Sequence, residues 1–544
     1  MRRRLRIGVM HPLRFAGPTP ERLLAAPPDL RPADPGVARD FYAGRYPVGG
    51  GCVETAGSPF APGLGDDAFT AAMHGFSWLR HLRASGADLA AANARALVID
   101  WIRLTADSLD GVAWRPEVTA QRLMSWLRHS PVILQGAELP FYRAFLRSLA
   151  MQNRYLGAMA PDMPPGEERL RARLALAFAA LSLPAPPSRL ARASRDLGLD
   201  IEAQILPDGG HVSRNPAAIL DLLADFLPLR QTYAAQAEPP PPALVTAIDR
   251  MAQALRFFLH RDDGLARFNG AGATDRDLVE AILRHDQTGA AAPLSAPHSG
   301  YQRLAAGGTT AICDTGAPPQ PEFAGAAHAG CLAFELSSGC DVFVVNAGVC
   351  SHGPAEWRPL ARSTAAHSTV TLADTSSARF ALSGRAGEMF GAPLVGGPRT
   401  VTVERRDRSG VQSFRADHDG YARNFGVAHE RTLALSADGV SLSGIDRFPD
   451  AAPGSAAAPV DAALRFHLHP DVGVWRDADG RVVLAAPEGD SWAFACADLT
   501  PMVEESLFFA DASGARKTFQ IVIDFSLAER RQLAWRFDRL VKAG

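Results

Sequence analysis

Two stretches of the chain, each with a histidine near the start of an apolar strand, decide the fold. They read Ala327-His328-Ala329-Gly330-Cys331-Leu332-Ala333-Phe334-Glu335-Leu336 and Arg362-Ser363-Thr364-Ala365-Ala366-His367-Ser368-Thr369-Val370-Thr371-Leu372. Between them stands Val342-Phe343-Val344-Val345-Asn346-Ala347-Gly348, a run typical of a buried strand that ends in a polar residue. Because these polar residues stand at the ends of nearby strands, we expect His328, Asn346 and His367 to converge.

The first part of the chain has the periodicity of amphipathic helices. Apolar residues recur at helical spacing on one face, as at Leu170, Leu174, Phe178 and Leu181. The segment from Phe76 to Leu82 is predicted to be another amphipathic helix. Successive helices of this kind, separated by proline-rich or glycine-rich connections, predict an array of helical hairpins.

After about residue 300 the pattern changes to strands and turns. The dipeptides Asp438-Gly439 and Asp479-Gly480 separate apolar runs and are hairpin signals, since glycine supplies the positive φ of a tight turn. The segment from Phe519 to Phe525 predicts the strand that closes the chain. We therefore predict an α+β multidomain protein, with a helical domain over residues 1–298 and an antiparallel β-sandwich over residues 299–544.

Composition excludes several classes of protein. Of the 544 residues 47% are hydrophobic and 21% charged, as in an ordinary globular protein, and the net charge of −2 gives no basic footprint for nucleic acid. The segment from Gly8 to Arg14 interrupts the apolar core that a signal peptide would need, and no apolar run is long enough for a membrane-spanning helix. These features predict no membrane insertion and a cytoplasmic location.

The order of motifs across both halves resembles the heparinase II/III-like family of polysaccharide lyases. The matching stretches run from Phe76-Ser77-Trp78-Leu79 through Asp208-Gly209-Gly210-His211 to Arg431. The resemblance implies an incomplete (α/α) toroid followed by an antiparallel β-sandwich. By analogy with the family, the periplasm or cell envelope is the alternative location.

The family's chemistry is β-elimination on uronic-acid polysaccharides. A base removes the proton α to the carboxylate, and an acid protonates the leaving oxygen. Related lyases use a tyrosine two residues beyond the proline that corresponds to Pro216, and a histidine at the position of Ala326. Here the tyrosine position is Ala218, so both usual proton-transfer residues are replaced by alanine.

The resemblance implies a set of candidate site residues. His211, Arg214, Tyr233 and Tyr421 are the candidates for catalysis, with the two tyrosines as replacements for the missing phenol. The candidates for substrate binding are Asn153, Asn215 and Arg431. Asn215-Pro216 is equally typical of a capped helix start after a Gly-Gly turn.

Some family members hold a structural zinc through two histidines and an aspartate. His328 and His367 match the two histidines, but Asn346 replaces the aspartate, and a neutral amide is a poor zinc ligand. We expect no required cofactor and favour a hydrogen-bonded cluster over a zinc site.

Function then follows from the resemblance. The leading prediction is a carbon–oxygen lyase that acts on an acidic polysaccharide or oligosaccharide. The alternative is a catalytically inactive descendant that binds glycan, because of Ala218 and Ala326. A toroidal glycoside hydrolase is the third alternative. The sequence leaves the substrate and the oligomeric state open.

Overall fold

The computed structural model describes residues 15–105, 108–286, 289–350, 353–354, 356–381, 392–451 and 460–540. The chain divides into two compact units. Unit 1 holds residues 1–204, 221–248 and 281–285, and unit 2 holds 205–220, 249–280 and 286–544.

Unit 1 is built from helices. Its helices are α1 (Pro35–Tyr42), α2 (Asp67–Gly75), α3 (Leu79–Ser85), α4 (Asp88–Leu104), α5 (Pro116–Arg128), α6 (Ser130–Leu134), α7 (Leu139–Met159), α8 (Glu167–Ser182) and α9 (Pro187–Gln204). A small hairpin, β1 (Arg45–Val48) and β2 (Gly51–Glu54), follows α1. The boundary between the units crosses three further helices, α10 (Pro216–Ala235), α11 (Pro242–Phe258) and α12 (Arg276–Leu283).

Helical periodicity predicts the core of unit 1 well, with one exception. Leu170, Leu174, Phe178 and Leu181 all lie on α8 and are buried, as predicted. The predicted helix from Phe76 to Leu82 is wrong in its first residues. Phe76 takes a left-handed conformation with φ of 59° and ends α2, and α3 begins only at Leu79. A left-handed residue that is not glycine leaves no signal in the apolar pattern.

Unit 2 contains two large antiparallel sheets. The strands are β3 (Ser295–Ala296), β4 (Tyr301–Ala306), β5 (Thr309–Asp314), β6 (Phe334–Ser338), β7 (Asp341–Val345), β8 (Val370–Leu372), β9 (Arg379–Phe380), β10 (Leu394–Gly396), β11 (Val401–Arg408), β12 (Val411–His418), β13 (His429–Leu435), β14 (Ser441–Arg447), β15 (Asp461–Leu468), β16 (Gly473–Arg476), β17 (Val482–Ala485), β18 (Ser491–Cys496), β19 (Met502–Phe508), β20 (Arg516–Ser526) and β21 (Gln532–Arg539). β9 and β10 form a separate two-stranded sheet. Two short helices, α13 (Trp357–Arg362) and α14 (Ala422–Phe425), lie between the strands.

The two sheets share one apolar core. One sheet has the order β11-β12-β13-β14-β21-β18-β17-β16, and the other has the order β19-β20-β15-β7-β6-β5-β4-β3, with β8 paired to β15. Phe334 of the second sheet stacks on Trp535 of the first at 5.5 Å between ring centroids. Side chains from both sheets interdigitate in this way, so the arrangement is a β-sandwich.

The predicted hairpins are confirmed, and the prediction of the last strand is corrected. Gly439 and Gly480 have φ of 74° and 78°, and each lies between paired antiparallel strands. The segment from Phe519 to Phe525 lies in β20, as predicted, but β21 follows it and closes the sheet between β14 and β18.

The described helices fall short of the combined length and apolarity that a bilayer demands. Within the described ranges, none of them is both long enough and apolar enough to cross a membrane. The segment from Gly8 to Arg14, on which the expectation of no signal peptide rests, lies outside the described residues.

Candidate functional site

The loop before α10 is fixed by a Gly-Gly turn. Gly209 has φ of 83°, and a Cβ atom there would lie 2.1 Å from the carbonyl oxygen of Arg250. The carboxylate of Asp208 accepts hydrogen bonds from the backbone N–H groups of His298 (2.8 Å) and Ser299 (2.7 Å). Only glycine fits position 209, and the turn holds the 208–215 loop against residues 298–299.

Arg214 follows this turn and uses all of its guanidinium donors. Its backbone is left-handed, with φ of 61°. Its Nε donates to the carbonyl of Ser299 (2.8 Å), while the two terminal nitrogens donate to other backbone carbonyls and form an ion pair with Asp314. The side chain is buried within unit 2. Arg214 therefore joins three loops and has no donor left for a substrate carboxylate.

Asp314 and Arg214 belong to a larger buried network that the sequence does not reveal. Asn269 donates through Nδ2 to the hydroxyl oxygen of Tyr301 (2.7 Å) and to Asp314 (3.1 Å). The Tyr301 hydroxyl donates to the carbonyl of Arg214 (2.6 Å). The Oδ1 of Asn269 accepts from the backbone N–H of His328 (3.0 Å). Burial raises the pKa of Tyr301, so this phenol stays protonated.

His328 and His367 meet in the structure. The Nδ1 of His367 lies 2.7 Å from the carbonyl of Ser363, and its Nε2 lies 2.9 Å from the Nδ1 of His328. Since a carbonyl only accepts, the His367 Nδ1 donates and its Nε2 accepts from His328. Burial lowers the pKa of His367 to about 4 and also lowers the pKa of His328.

Asn346, which lies between the two histidines in the sequence, bonds to other partners. Its side-chain Oδ1 accepts from the backbone N–H of Ser368 (3.1 Å). Its backbone N–H donates to the carboxylate of Glu335 (2.9 Å). No three His, Cys, Asp or Glu side chains in the described part of the chain are grouped so that they could hold a metal ion. Asn346 is a neutral amide, which is a poor zinc ligand, and the facing nitrogens of the two histidines bond to each other, so this donor set does not fit the family's structural zinc. His328 and His367 bond to each other, whereas Asn346 bonds to Ser368 and Glu335.

Glu335, which accepts from the backbone N–H of Asn346, has further buried partners. Its carboxylate lies 3.1 Å from the Nε2 of His260 and 3.4 Å from a guanidinium nitrogen of Arg267. Burial alone would raise the pKa of Glu335, but Arg267 and His260 outweigh burial and lower it. The sequence analysis missed this triad, because its members come from separate loops and strands.

The guanidinium nitrogens of Arg431 also bond to buried partners. Its Nε and one terminal nitrogen bind Asp446 (2.8 and 3.2 Å), and the other donates to the carbonyls of Leu332 and Ser368. Asp446 further accepts from the indole N–H of Trp535 (2.8 Å). Arg431 and Asp446 are fully buried in the sandwich. This guanidinium grips a carboxylate of its own chain.

The remaining candidates lie in structural surroundings. Tyr421 is buried, its hydroxyl donates to the carbonyl of Val370 (2.7 Å), and burial raises its pKa. His211 is buried, with its Nδ1 2.7 Å from the hydroxyl of Ser213.

Asn215 caps α10, as the alternative interpretation expects. Its Oδ1 accepts from the N–H of Ala217 (2.9 Å), and Pro216 is the first helical residue.

Two candidates belong to unit 1. Tyr233 is buried, and its hydroxyl lies 2.6 Å from that of Ser194. Burial raises the pKa of Tyr233. Asn153 is half-buried and lines a pocket of about 220 Å³ together with Arg154 and Arg189.

The two alanines of the sequence analysis lie in unit 2. Ala218 is buried on the first turn of α10. Ala326 is exposed and borders Gly270, where an added Cβ would lie 2.9 Å from the Ala326 Cβ and 3.3 Å from the Nδ2 of Asn215. Two methyl groups thus stand where the resemblance places the proton-transfer residues.

The helices of unit 1 and the two sheets of unit 2 define a protein of the toroid-plus-sandwich class. The family described as "Heparinase II/III-like, C-terminal" matches residues 288–536. A curated relative, "FtsZ-localized protein C" of Caulobacter vibrioides, is 32% identical over 529 residues, which cover 94% of this chain and 89% of the relative. The chain belongs to the heparinase II/III-like family.

Solved structures show the same fold at low identity. A heparinase III crystal structure has a TM-score of 0.69 and 14% identity, over 87% of this chain and 77% of the other. The heparan sulfate lyase HepC of Pedobacter heparinus has a TM-score of 0.60 and 17% identity, over 95% of this chain and 85% of the other. The predicted incomplete toroid followed by a β-sandwich is confirmed.

Proposed function

We propose that this chain is a non-catalytic member of the heparinase II/III-like family that acts by binding a partner. The observation that carries the proposal is the pair Ala218 and Ala326, at the positions where related lyases transfer protons. An alanine side chain neither accepts nor donates a proton, so β-elimination would need replacement groups.

The candidate replacements support the same proposal. Tyr421 is buried in the sandwich and donates to a backbone carbonyl, so its phenol has no access to a polysaccharide. Arg214 and Arg431 are buried and neutralised by Asp314 and Asp446. These groups hold loops and strands together. Their contacts are those of a stable scaffold.

We further propose that the chain localises with FtsZ, as the name of its Caulobacter vibrioides relative states for that protein. The support is 32% identity over 94% of this chain, which spans both units. The test is a fluorescent fusion expressed in the organism that encodes the chain, imaged with labelled FtsZ. Co-localisation that disappears when FtsZ is depleted is the expected result. A diffuse signal at normal FtsZ levels would reject the proposal.

The non-catalytic part is tested with purified protein. Heparin, heparan sulfate, hyaluronan and alginate are incubated with the protein, and ultraviolet absorbance follows the unsaturated uronate that a lyase forms. We expect flat traces under conditions where a control lyase gives a rising signal. A rising trace that is lost in His211→Ala would instead establish the lyase of the leading sequence prediction, with a rearranged site.

A further inference from the structure

A groove of about 670 Å³ opens in unit 2 between the free edges of the two sheets. One wall is formed by β11, the terminal strand of its sheet, and the other by β3 and the start of β4, at the end of the second sheet. Arg405 bridges the walls, because its guanidinium donates to the carbonyls of Leu294 and Arg303, both at 2.9 Å. These two hydrogen bonds hold the Arg405 side chain in place across the groove.

The hairpin register shows which backbone groups of β11 face outward. Ser409 and Gly410 form a two-residue turn with positive φ, so the flanking pair Arg408 and Val411 exchanges hydrogen bonds. Every second residue before Arg408 also bonds to β12, so the residues between them, Val401, Val403 and Arg405, direct their N–H and C=O groups away from β12. No strand of the described residues pairs with that edge.

The same three residues place their side chains in the groove. Val401, Val403 and Arg405 line it together with Pro297, and Val403 is 39% exposed. Alternation along a strand puts these side chains on one face. The groove thus offers apolar contact surface beside a row of unpaired backbone donors and acceptors, which is the arrangement that accepts an added strand.

The charged residues at the groove indicate the charge of the ligand that it binds. Arg399 and His298 are exposed at the groove, and no carboxylate is among its lining residues within the described ranges. Two carboxylates beside these residues bond to backbone groups. Asp419 accepts from the backbone N–H of Arg399 (2.7 Å), and Asp208 accepts from that of His298 (2.8 Å). An acidic ligand would meet the exposed guanidinium of Arg399 here.

One buried hydroxyl of the groove also lacks a partner. Thr315 is 3% exposed and lines the groove, and its Oγ1 makes no hydrogen bond within the described structure. A ligand that reaches this hydroxyl would satisfy a buried polar atom that is otherwise unpaired.

From these observations we propose that the groove binds an extended peptide segment with alternating acidic and apolar side chains, which adds as a strand to β11. Its backbone pairs with Val401, Val403 and Arg405, and its carboxylates face Arg399 and His298. The unpaired strand edge and the exposed valines favour a peptide over a polysaccharide. The proposal concerns the purified protein and is independent of localisation with FtsZ.

The probe is a fluorescein-labelled peptide of about eight residues that alternates glutamate and valine, the length of β11. Fluorescence anisotropy measures its binding, and hydrogen exchange reports on the backbone. We expect saturable binding, with slowed exchange at the amides of Val401, Val403 and Arg405. A matched peptide with lysine in place of glutamate is expected not to bind.

Single substitutions separate the contributions of the backbone edge and of the charge to peptide binding. Val403→Pro removes an outward N–H but no bond to β12, and Arg399→Glu reverses the charge at the groove. We expect each to weaken binding about tenfold or more, the loss of one charge-assisted or backbone contact. Thr315→Val is expected to weaken binding about threefold or more without lowering the unfolding temperature. Arg536→Glu, an exposed charge reversal on β21, is the control and is expected to leave binding unchanged.

Several results would overturn the proposal. One is no anisotropy change up to millimolar peptide, and another is equal weakening by Arg536→Glu and Arg399→Glu. A third is slowed exchange at β11 with heparin oligosaccharides but not with the acidic peptide, which would assign the groove to an acidic glycan. Since Arg399→Glu alters only an exposed side chain, the test remains valid even where Val403→Pro fails to fold.

Discussion

The rings of His328 and His367 meet edge to face, with Nδ1 of His328 at 2.9 Å from Nε2 of His367. The bond to the carbonyl of Ser363 makes Nδ1 of His367 the donor, so the Nε2 that faces His328 carries a lone pair. A second proton on His367 would place its Nε2–H against the N–H of His328, unless the His328 proton moves to Nε2, which has no partner in the described structure. Protonation of His367 therefore breaks the bond in its present direction.

This relationship predicts a pH dependence of stability. Burial lowers the pKa of His367 to about 4, below the 6.5 of an unperturbed histidine. Because the unfolded chain takes up the proton first, the free energy of unfolding falls as the pH drops from 6.5 to 4. Urea unfolding at several pH values should show a slope that is smaller in His367→Gln by up to about 1.4 kcal/mol per pH unit.

The control for this slope is Thr371→Val, a buried neighbour on β8 that does not titrate. It should shift the free energy of unfolding by the same amount at every pH. An unchanged slope in His367→Gln would show that the protonation of His367 is not linked to folding.

Arg431 is predicted to matter for folding through its bond with Asp446. Arg431→Met removes the cation and leaves a fully buried carboxylate without its main partner, at a cost of about 3–5 kcal/mol. Arg431→Met with Asp446→Asn should recover part of this loss, since no net charge then remains buried. Arg447→Met, which breaks an ion pair with the partly exposed Glu430, should cost less than about 1 kcal/mol.

Chemical unfolding of the four proteins in urea measures these differences. Equal losses for Arg431→Met and Arg447→Met would contradict the structural role of the buried pair. A double variant no more stable than the single one would show that the charge of Asp446 is not the source of the cost.

The fold was predictable from sequence because its signals are local. The apolar face with Leu170 and Leu174 and the turn at Asp438-Gly439 each depend on neighbours within a few residues. The break at Phe76 escaped prediction because it depends on residues that are distant in sequence. Phe76 packs on Phe60 and Trp126, at 5.3 and 5.4 Å between ring centroids.

The candidate site was predictable only in part. His328 and His367 stand at strand starts and do come together. The partners of Arg214 and Arg431 did not follow from sequence. Asp314 lies 100 positions from Arg214, and no local pattern marks a buried carboxylate as the partner of a particular guanidinium. Such pairs are fixed by the tertiary fold, so a sequence that resembles a substrate-binding arginine can equally encode a buried clamp.

The Gly-Gly turn before α10 gives a prediction with a close control. Gly209→Ala meets both a positive φ and a contact of 2.1 Å with the carbonyl of Arg250. Gly136→Ala meets a similar φ of 64° but no atom within 4 Å. We expect the second change to cost about 1 kcal/mol of unfolding free energy and the first clearly more, because the backbone must also move.

Thermal unfolding of both glycine variants tests this difference. Hydrogen exchange at residues 298–299, whose amides bind Asp208, should also accelerate in Gly209→Ala alone. Matching losses of stability in the two variants would mean that the turn tolerates a side chain and does not position the loop.

Tyr421 separates a structural role from a catalytic one. Tyr421→Phe removes the hydrogen bond from the phenol to the carbonyl of Val370 and should lower the free energy of unfolding by about 1 kcal/mol. Tyr42→Phe, at a half-buried hydroxyl that lies 3.3 Å from Ser85, should change stability by less. In the absorbance screen on acidic polysaccharides, Tyr421→Phe should match the parent protein, because its phenol is buried and burial raises its pKa. A parent activity that vanishes in Tyr421→Phe while stability is retained would identify Tyr421 as the proton-transfer group and the chain as a lyase.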